Sequence, residues 1–181
     1  MHPDKTWTLF LDRDGVINER TPGDYIKKWD DFSFVPGSIK ALEKLSGIFG
    51  RIVIVTNQAG VGKGLMTDKD LKEVHRLMLK TIDLLDGRID KIYAATAHPE
   101  QDIDKMRKPN IGMAASAQKD FPDIDFSKSI IVGDSISDMQ FGKNTGMKTV
   151  LVIGKGEDHS SISPDYVVNS LKDFAELLEK Q

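Results

Sequence analysis

Two aspartates two residues apart, Asp12 and Asp14, follow directly on an apolar run, in the order Leu9-Phe10-Leu11-Asp12-Arg13-Asp14-Gly15-Val16. On an extended segment alternate side chains project to the same side, so the two carboxylates can face one way, and their repulsion must be offset by a cation or a shared proton. Gly15 lets the chain turn sharply beside them. A strand running into an ordinary polar turn would use the same residue types. What separates the two readings is that the junction recurs. Arg51-Ile52-Val53-Ile54-Val55 stops at Thr56-Asn57-Gln58, and Ser129-Ile130-Ile131-Val132 stops at Gly133-Asp134-Ser135 with Asp138 just beyond. Between them stands a basic pair locked before a proline, Arg107-Lys108-Pro109. A hydroxyl, a lysine and two further carboxylates, added to Asp12 and Asp14, make the inventory for phosphoryl transfer through an acidic nucleophile and a divalent metal.

The elements that must position these residues are read from periodicity and punctuation. Pro36 opens a helix with Ile39, Leu42, Leu45 and Phe49 on one stripe, and Gly50 closes it. Arg51 to Val55 is too apolar for a half-exposed strand and predicts one covered on both faces. Thr67 with Asp70 resembles a capping box, opening a helix whose stripe is Leu71, Val74, Met78, Ile82 and Leu85, with His75 beside it as a packing or surface residue. Further strands are predicted at Ile89 to Ala95, Ser129 to Val132, Lys148 to Ile153 and Tyr166 to Val168. Helices are predicted after Pro109-Asn110 through Met113 and Ala117, from Ser137 to Thr145, and from Ser170 to Glu179. Residues from Glu19 to Phe34 carry no sustained period and read as a loop or short flap. The glycine-rich stretch Ala59 to Gly64 lacks the Lys-Ser or Lys-Thr and the glycine spacing of a nucleotide-binding loop. The alternation predicts an α/β fold with a mainly parallel sheet between helices, whose ligand site lies beyond the carboxyl ends of the strands. Every polar junction falls at such an end.

Composition narrows the partners. The chain of 181 residues, 39% of them hydrophobic, fits one globular domain over residues 1–181. A net charge of -3 from 25 basic and 28 acidic side chains gives no basic face for nucleic acid. No apolar stretch approaches the roughly 20 residues that cross a bilayer, and the start lacks the apolar segment of a secretory signal, so no membrane partner and a cytoplasmic setting are expected. With no cysteine, thiol catalysis and thiolate metal sites are excluded.

The residues Asp12-x-Asp14, Thr56, Lys108 and Gly133-Asp134-x-x-x-Asp138 resemble the four motifs of the haloacid dehalogenase superfamily. Arg13 within the first motif and the run Arg107-Lys108-Pro109 resemble, more narrowly, its group of D-glycero-D-manno-heptose 1,7-bisphosphate phosphatases and histidinol phosphatases. The resemblance implies a Rossmann-like three-layer α/β/α sandwich and a magnesium-dependent phosphatase working through an aspartyl phosphate. Its substrate would be a phosphorylated sugar, first of all the 7-phosphate of a heptose bisphosphate used for surface polysaccharide such as lipopolysaccharide. Histidinol phosphate or another small phosphomonoester is the enzyme alternative, and a non-catalytic phosphosugar-binding module is the alternative of another class. A monomer or small homo-oligomer would suffice.

Carried over residue by residue, Asp12 is the implied nucleophile and Asp14 the acid and base. Thr56 would donate to a phosphoryl oxygen, and Lys108 would supply positive charge. Magnesium would be held by Asp12, Asp134 and the main-chain carbonyl of Asp14, a hard-oxygen set. Asp138 would orient Lys108 or a metal-bound water. Arg13, Arg20 with the segment to Gly23, Asn57, Gln58 and Arg107 are implied around the substrate, Arg107 being suited to a second phosphate. The chain departs from the group in the zinc loop before Arg107: His98 stands there without any cysteine, so no zinc is expected and nothing should crosslink the ends of the loop from Thr96 to Met106. The segments between the motifs leave no room for a large cap domain.

Overall fold

The structure is a computed structural model that describes residues 2–21, 23–153 and 163–180. Six strands, β1 (Thr8–Leu11), β2 (Arg51–Asn57), β3 (Lys91–Ala95), β4 (Ser129–Gly133), β5 (Lys148–Val152) and β6 (Tyr166–Val168), form one sheet in the order β3-β2-β1-β4-β5-β6, every pair parallel. Five helices connect them: α1 (Ser38–Ile48), α2 (Asp68–Leu84), α3 (Gly112–Asp120), α4 (Ile136–Thr145) and α5 (Leu171–Glu179). The period of the strands sorts the core into two layers. Leu9 and Leu11 join Leu42 and Leu45 of α1, Val74 and Met78 of α2 and Phe174 of α5 on one face. Phe10 joins Met113 and Ala117 of α3 and Phe141 of α4 on the other. This is the α/β/α sandwich the sequence implied.

Register decides where the chemistry falls. Leu11 pairs with Ile54 of β2 and with Val132 of β4, which brings the carboxyl ends of three strands level. The Asp12 amide continues the ladder by donating to the Val132 carbonyl at 2.9 Å. Thr56 and Asp134, each at or just past its strand end, therefore meet Asp12 in space.

Local expectations hold with instructive exceptions. Thr67 and Asp70 form a reciprocal capping box at the start of α2. That helix ends at Leu84, however, and Leu85 leaves the predicted stripe to stand 48% exposed beyond it. Ala41 takes a buried place on α1, whereas Ile39 is only half-buried. β3 begins at Lys91 rather than Ile89.

The segment after β1 turns on Arg13, whose carbonyl accepts from the amides of Val16, Ile17 and Asn18. Its far end is pinned by an aromatic cluster, Trp29 stacked on Phe32 with ring centroids 4.9 Å apart and Phe34 edge-on to Phe32 at 5.0 Å. The flap is thus a short loop with both ends fixed, and among the described residues no large cap stands over the sheet. Pro22, part of the segment implied around the substrate, lies outside the described residues.

Candidate active site

At the carboxyl end of β1 the carboxylates of Asp12, Asp134 and Asp138 offer oxygens within 4.8 Å of one another. Three buried like charges require a cation, and the fold supplies one from the protein itself. The Lys108 ammonium reaches Asp12 Oδ1 at 2.9 Å, Asp138 Oδ1 at 2.5 Å and the Val55 carbonyl at 2.7 Å. The Val55 contact is a hydrogen bond, and the two carboxylates are ion pairs that balance the buried ammonium. Burial works against the Lys108 charge, but the two carboxylates outweigh it and hold its pKa above the usual lysine value. The backbone around Lys108 is clamped by Asn57, whose Oδ1 accepts from the Lys108 amide at 2.9 Å and whose Nδ2 donates to the Lys108 carbonyl at 3.2 Å. The Lys108–Pro109 peptide bond is cis.

Asp138 is spoken for on both oxygens. Its Oδ2 closes a capping box at the start of α4, accepting from the Ser135 amide at 3.1 Å and hydroxyl at 2.6 Å, while Oδ1 faces Lys108. Asp12 and Asp134 are the carboxylates left to share a further cation. Gly15 bears on this: at φ +87°, a Cβ there would stand 1.8 Å from Asp134 Oδ2, so the missing side chain is what lets that carboxylate approach the turn. Burial pushes the Asp12 carboxyl up to about 7, Lys108 opposing the rise and Asp138 and Asp14 adding to it. A proton and a divalent cation therefore compete for Asp12, and an all-oxygen set of this charge fits magnesium.

Asp14 is treated in the opposite way. Arg13 donates to Asp14 Oδ1 at 2.8 Å from Nη2 and at 3.3 Å from Nε, Asn18 Nδ2 donates to Oδ1 at 2.9 Å, and Gln58 Nε2 donates to Oδ2 at 2.7 Å. Burial works to raise the Asp14 carboxyl, yet the guanidinium and the amide donors prevail and hold it below the usual carboxylate range. Two neighbouring carboxylates are thus driven apart: with Lys108 as its only cation Asp12 favours a proton, and Asp14 favours its charge.

Arg13 and Gln58, implied around the substrate, stand behind Asp14 in this structure. Both side chains are fully buried and neither reaches the cavity above the site. They stand behind Asp14 and aim it, because a residue between two same-facing aspartates on an extended segment points away from them. Behind Arg13, Nη1 meets His75 Nε2 at 3.0 Å. A guanidinium only donates, so Nε2 accepts and the imidazole is neutral with its proton on Nδ1. Burial and the Arg13 charge push the His75 pKa down to about 4. His75 is therefore a prop for Arg13 rather than a passive packing residue.

The cavity over the carboxylates measures about 880 Å³. Asp12, Asp14, Thr56, Lys108 and Asp134 line it together with Arg20, Asn57, Arg107 and residues the sequence did not assign, among them Glu19, Asp24, Tyr25 and Lys63. Arg20 Nη1 lies 3.2 Å from Asp134 Oδ2. Lys63 sits 5.7 Å over the Tyr25 ring, and neither it nor Arg107 has an acidic partner among the described residues. Lys63 belongs to the glycine-rich stretch, whose purpose is close packing: a Cβ at Gly62 would strike the His98 amide at 2.2 Å, and the Gly62 amide donates to the Thr96 carbonyl at 2.8 Å. No signal in the sequence marks Lys63, since the close contact that places it is made by the distant Thr96–His98 backbone.

Fold and site define a phosphatase of the haloacid dehalogenase superfamily. The chain belongs to the family described as polynucleotide kinase 3 phosphatase, whose model matches residues 8–175. It is similar to the D-glycero-beta-D-manno-heptose-1,7-bisphosphate 7-phosphatase of Escherichia coli, with 34% identity over 96% of this chain and 94% of that protein. It is also similar to the D-glycero-alpha-D-manno-heptose-1,7-bisphosphate 7-phosphatase of Mycobacterium tuberculosis, with 40% identity over 76% of this chain and 72% of that protein. The crystal structure of D,D-heptose 1,7-bisphosphate phosphatase from B. bronchiseptica, complexed with magnesium and phosphate, matches with a TM-score of 0.87 and 29% identity over 96% of this chain and 98% of that one. Among the described residues no helix is long and apolar enough to cross a membrane.

Proposed function

We propose that this chain is a magnesium-dependent phosphatase for a sugar bisphosphate, acting at the 7-phosphate of a D-glycero-D-manno-heptose 1,7-bisphosphate in the cytoplasm. The observation that carries the reading is one cavity with two kinds of wall: a carboxylate ion-paired to a buried lysine at the floor, and two cations with no acidic partner among the described residues, Arg107 and Lys63, above it. A monoester needs the first, and a second phosphate uses the rest.

The ion pair with Lys108 and the hydrogen bond from the Arg13 amide, at 2.7 Å, both fall on Asp12 Oδ1. Oδ2 is therefore the oxygen that attacks phosphorus, forming the aspartyl phosphate as the sugar oxygen leaves. Magnesium held by Asp12, Asp134 and the Asp14 carbonyl would screen the repulsion between this carboxylate and the phosphate. Thr56 Oγ1 already accepts from Gln58 Nε2 at 2.8 Å, which leaves its own hydrogen for a phosphoryl oxygen. Lys108, ion-paired to Asp12 and Asp138, acts on the developing charge through its field and through the placement of Asp12. Asp14, kept ionised by Arg13, Asn18 and Gln58, takes up a proton as the charge of the arriving phosphate raises its pKa. It gives that proton to the leaving oxygen and then receives one from the attacking water.

The test is phosphate release from a panel holding the heptose bisphosphate, its 1-phosphate, histidinol phosphate and an oligonucleotide 3′-phosphate, with magnesium and with a chelator. We expect the bisphosphate to lead in kcat/KM by about ten-fold or more and every activity to vanish with the chelator. Equal or better turnover of histidinol phosphate or of the 3′-phosphate would refute the substrate, and chelator-resistant turnover would refute the metal.

A further inference from the structure

Among the described residues the loop between β3 and Arg107 carries no link between its ends, but its second half is tied by one side chain. After the short turn Pro99–Gln101 the chain reaches Asp102, and that carboxylate makes the tie. Oδ1 accepts from the Met106 amide at 2.9 Å, and Oδ2 accepts from the Arg107 amide at 3.0 Å and, more weakly, from Asn110 Nδ2 at 3.4 Å. The Asp102 carbonyl also accepts from the Lys105 amide at 3.1 Å, and the Lys105 carbonyl accepts from the Gly112 amide at 3.1 Å. One side chain thus closes this half of the loop on itself and joins it to the start of α3. The loop tip gets no such help, since Ile103 is 88% exposed. No other side chain among the described residues bonds to the Arg107 amide.

We propose that Asp102 is a positioning residue that presents Arg107 to the cavity, and so sets affinity for the part of the substrate remote from the bond broken. The two backbone amides it holds belong to Met106 and Arg107, and the next residue, Lys108, is clamped independently by Asn57. The run is therefore divided into two fixed parts. Asn57 and the buried ion pairs hold the catalytic lysine, and Asp102 holds the arginine. Loss of the carboxylate frees the Arg107 backbone while leaving Lys108 in place, because hydrogen bonds to an ionised acceptor are the strong ones and Asn57 makes its own. The consequence is a split in the kinetics: binding of a substrate that uses Arg107 weakens, and turnover of one that does not is preserved.

The proposal rests on the sugar-bisphosphate reading for its substrate, and its test separates the two. Asp102→Ala is compared with Asp102→Asn, alone and in an Arg107→Ala background, with heptose bisphosphate and with p-nitrophenyl phosphate. Hydrogen exchange of the Met106 and Arg107 amides is followed in parallel. Asp102→Ala should raise KM for the bisphosphate about ten-fold and leave kcat for the aryl phosphate within about two-fold. In the Arg107→Ala background the further rise should shrink below about two-fold, since the path of the effect is already removed. Asp102→Asn, which keeps one accepting oxygen, should fall between. The two amides should exchange at least about ten-fold faster in Asp102→Ala. Unchanged exchange, equal losses on both esters, or an undiminished effect without Arg107 would overturn the assignment. If the bisphosphate is not a substrate at all, the functional reading fails on that result, and the exchange rates by themselves uphold or overturn the clip.

Discussion

Replacing Arg13 by methionine distinguishes a residue that aims Asp14 from one that touches substrate. The side chain is fully buried and ion-paired with Asp14, whose own side chain is 25% exposed. Breaking a buried pair by removing one partner costs about 3–5 kcal/mol, because the remaining charge is left uncompensated. Asp14 keeps its Asn18 and Gln58 donors and some contact with water, so the low end applies, about 3 kcal/mol. Methionine keeps the unbranched apolar stem and loses the guanidinium, so the charge is the main thing removed. For a chain of this size the loss should lower Tm by about 6–12 °C. Urea unfolding at pH 7 measures it directly. Adding Asp14→Asn removes the stranded charge and should recover at least about 1 kcal/mol. A loss below about 1 kcal/mol in Arg13→Met, no recovery in the double variant, or an effect confined to KM would refute the claim that Arg13 works from behind Asp14.

Asp12→Asn should keep the fold, since burial already favours a neutral group at that position, and should lose turnover by several orders of magnitude even with an aryl phosphate; near-normal turnover would remove the nucleophile assignment. His75 gives a pH dependence of defined sign. Its pKa is about 4 when folded against 6.5 as an ordinary histidine, so between these values the unfolded chain binds a proton that the folded one refuses, and stability should decline as pH falls from 6.5 towards 4. The full linkage is about 3 kcal/mol, reduced to about 1–2 by partial exposure, and His75→Gln should flatten that slope in urea midpoints taken at pH 7 and pH 5. A wild-type slope unchanged by the substitution would place the sensitivity elsewhere.

Asp12, Thr56 and Asp134 were legible in the sequence because each stands where an apolar run stops, and a parallel sheet gathers such ends along one edge. Asp12, Thr56 and Asp134 need only the strand register to meet, and the register follows from burying both faces of β1 and its neighbours. The same local reasoning located the capping box of α2 and the parallel order of elements. It did not reach side chains whose role depends on what lies behind them. Arg13 and Gln58 look like substrate ligands by type, but the alternation of the strand end turns Arg13 inward, and Gln58 is buried against Thr56 and Asp14.

Asp102 shows the same limit in a loop. From spacing alone it is one acid among several near His98, with no partner in view. Only the folded chain brings the amides of Met106 and Arg107 onto its two oxygens. Lys63 gains its place on the cavity wall only because Gly62 packs against the Thr96–His98 backbone. By itself, then, the sequence determined which residues could attack, protonate and bind a cation, since those properties belong to residue type and to short-range pattern. Which of the charged residues face the substrate and which stand behind the catalytic ones was decided by tertiary structure, because the direction of a side chain depends on the packing and hydrogen-bond partners that distant segments bring to it.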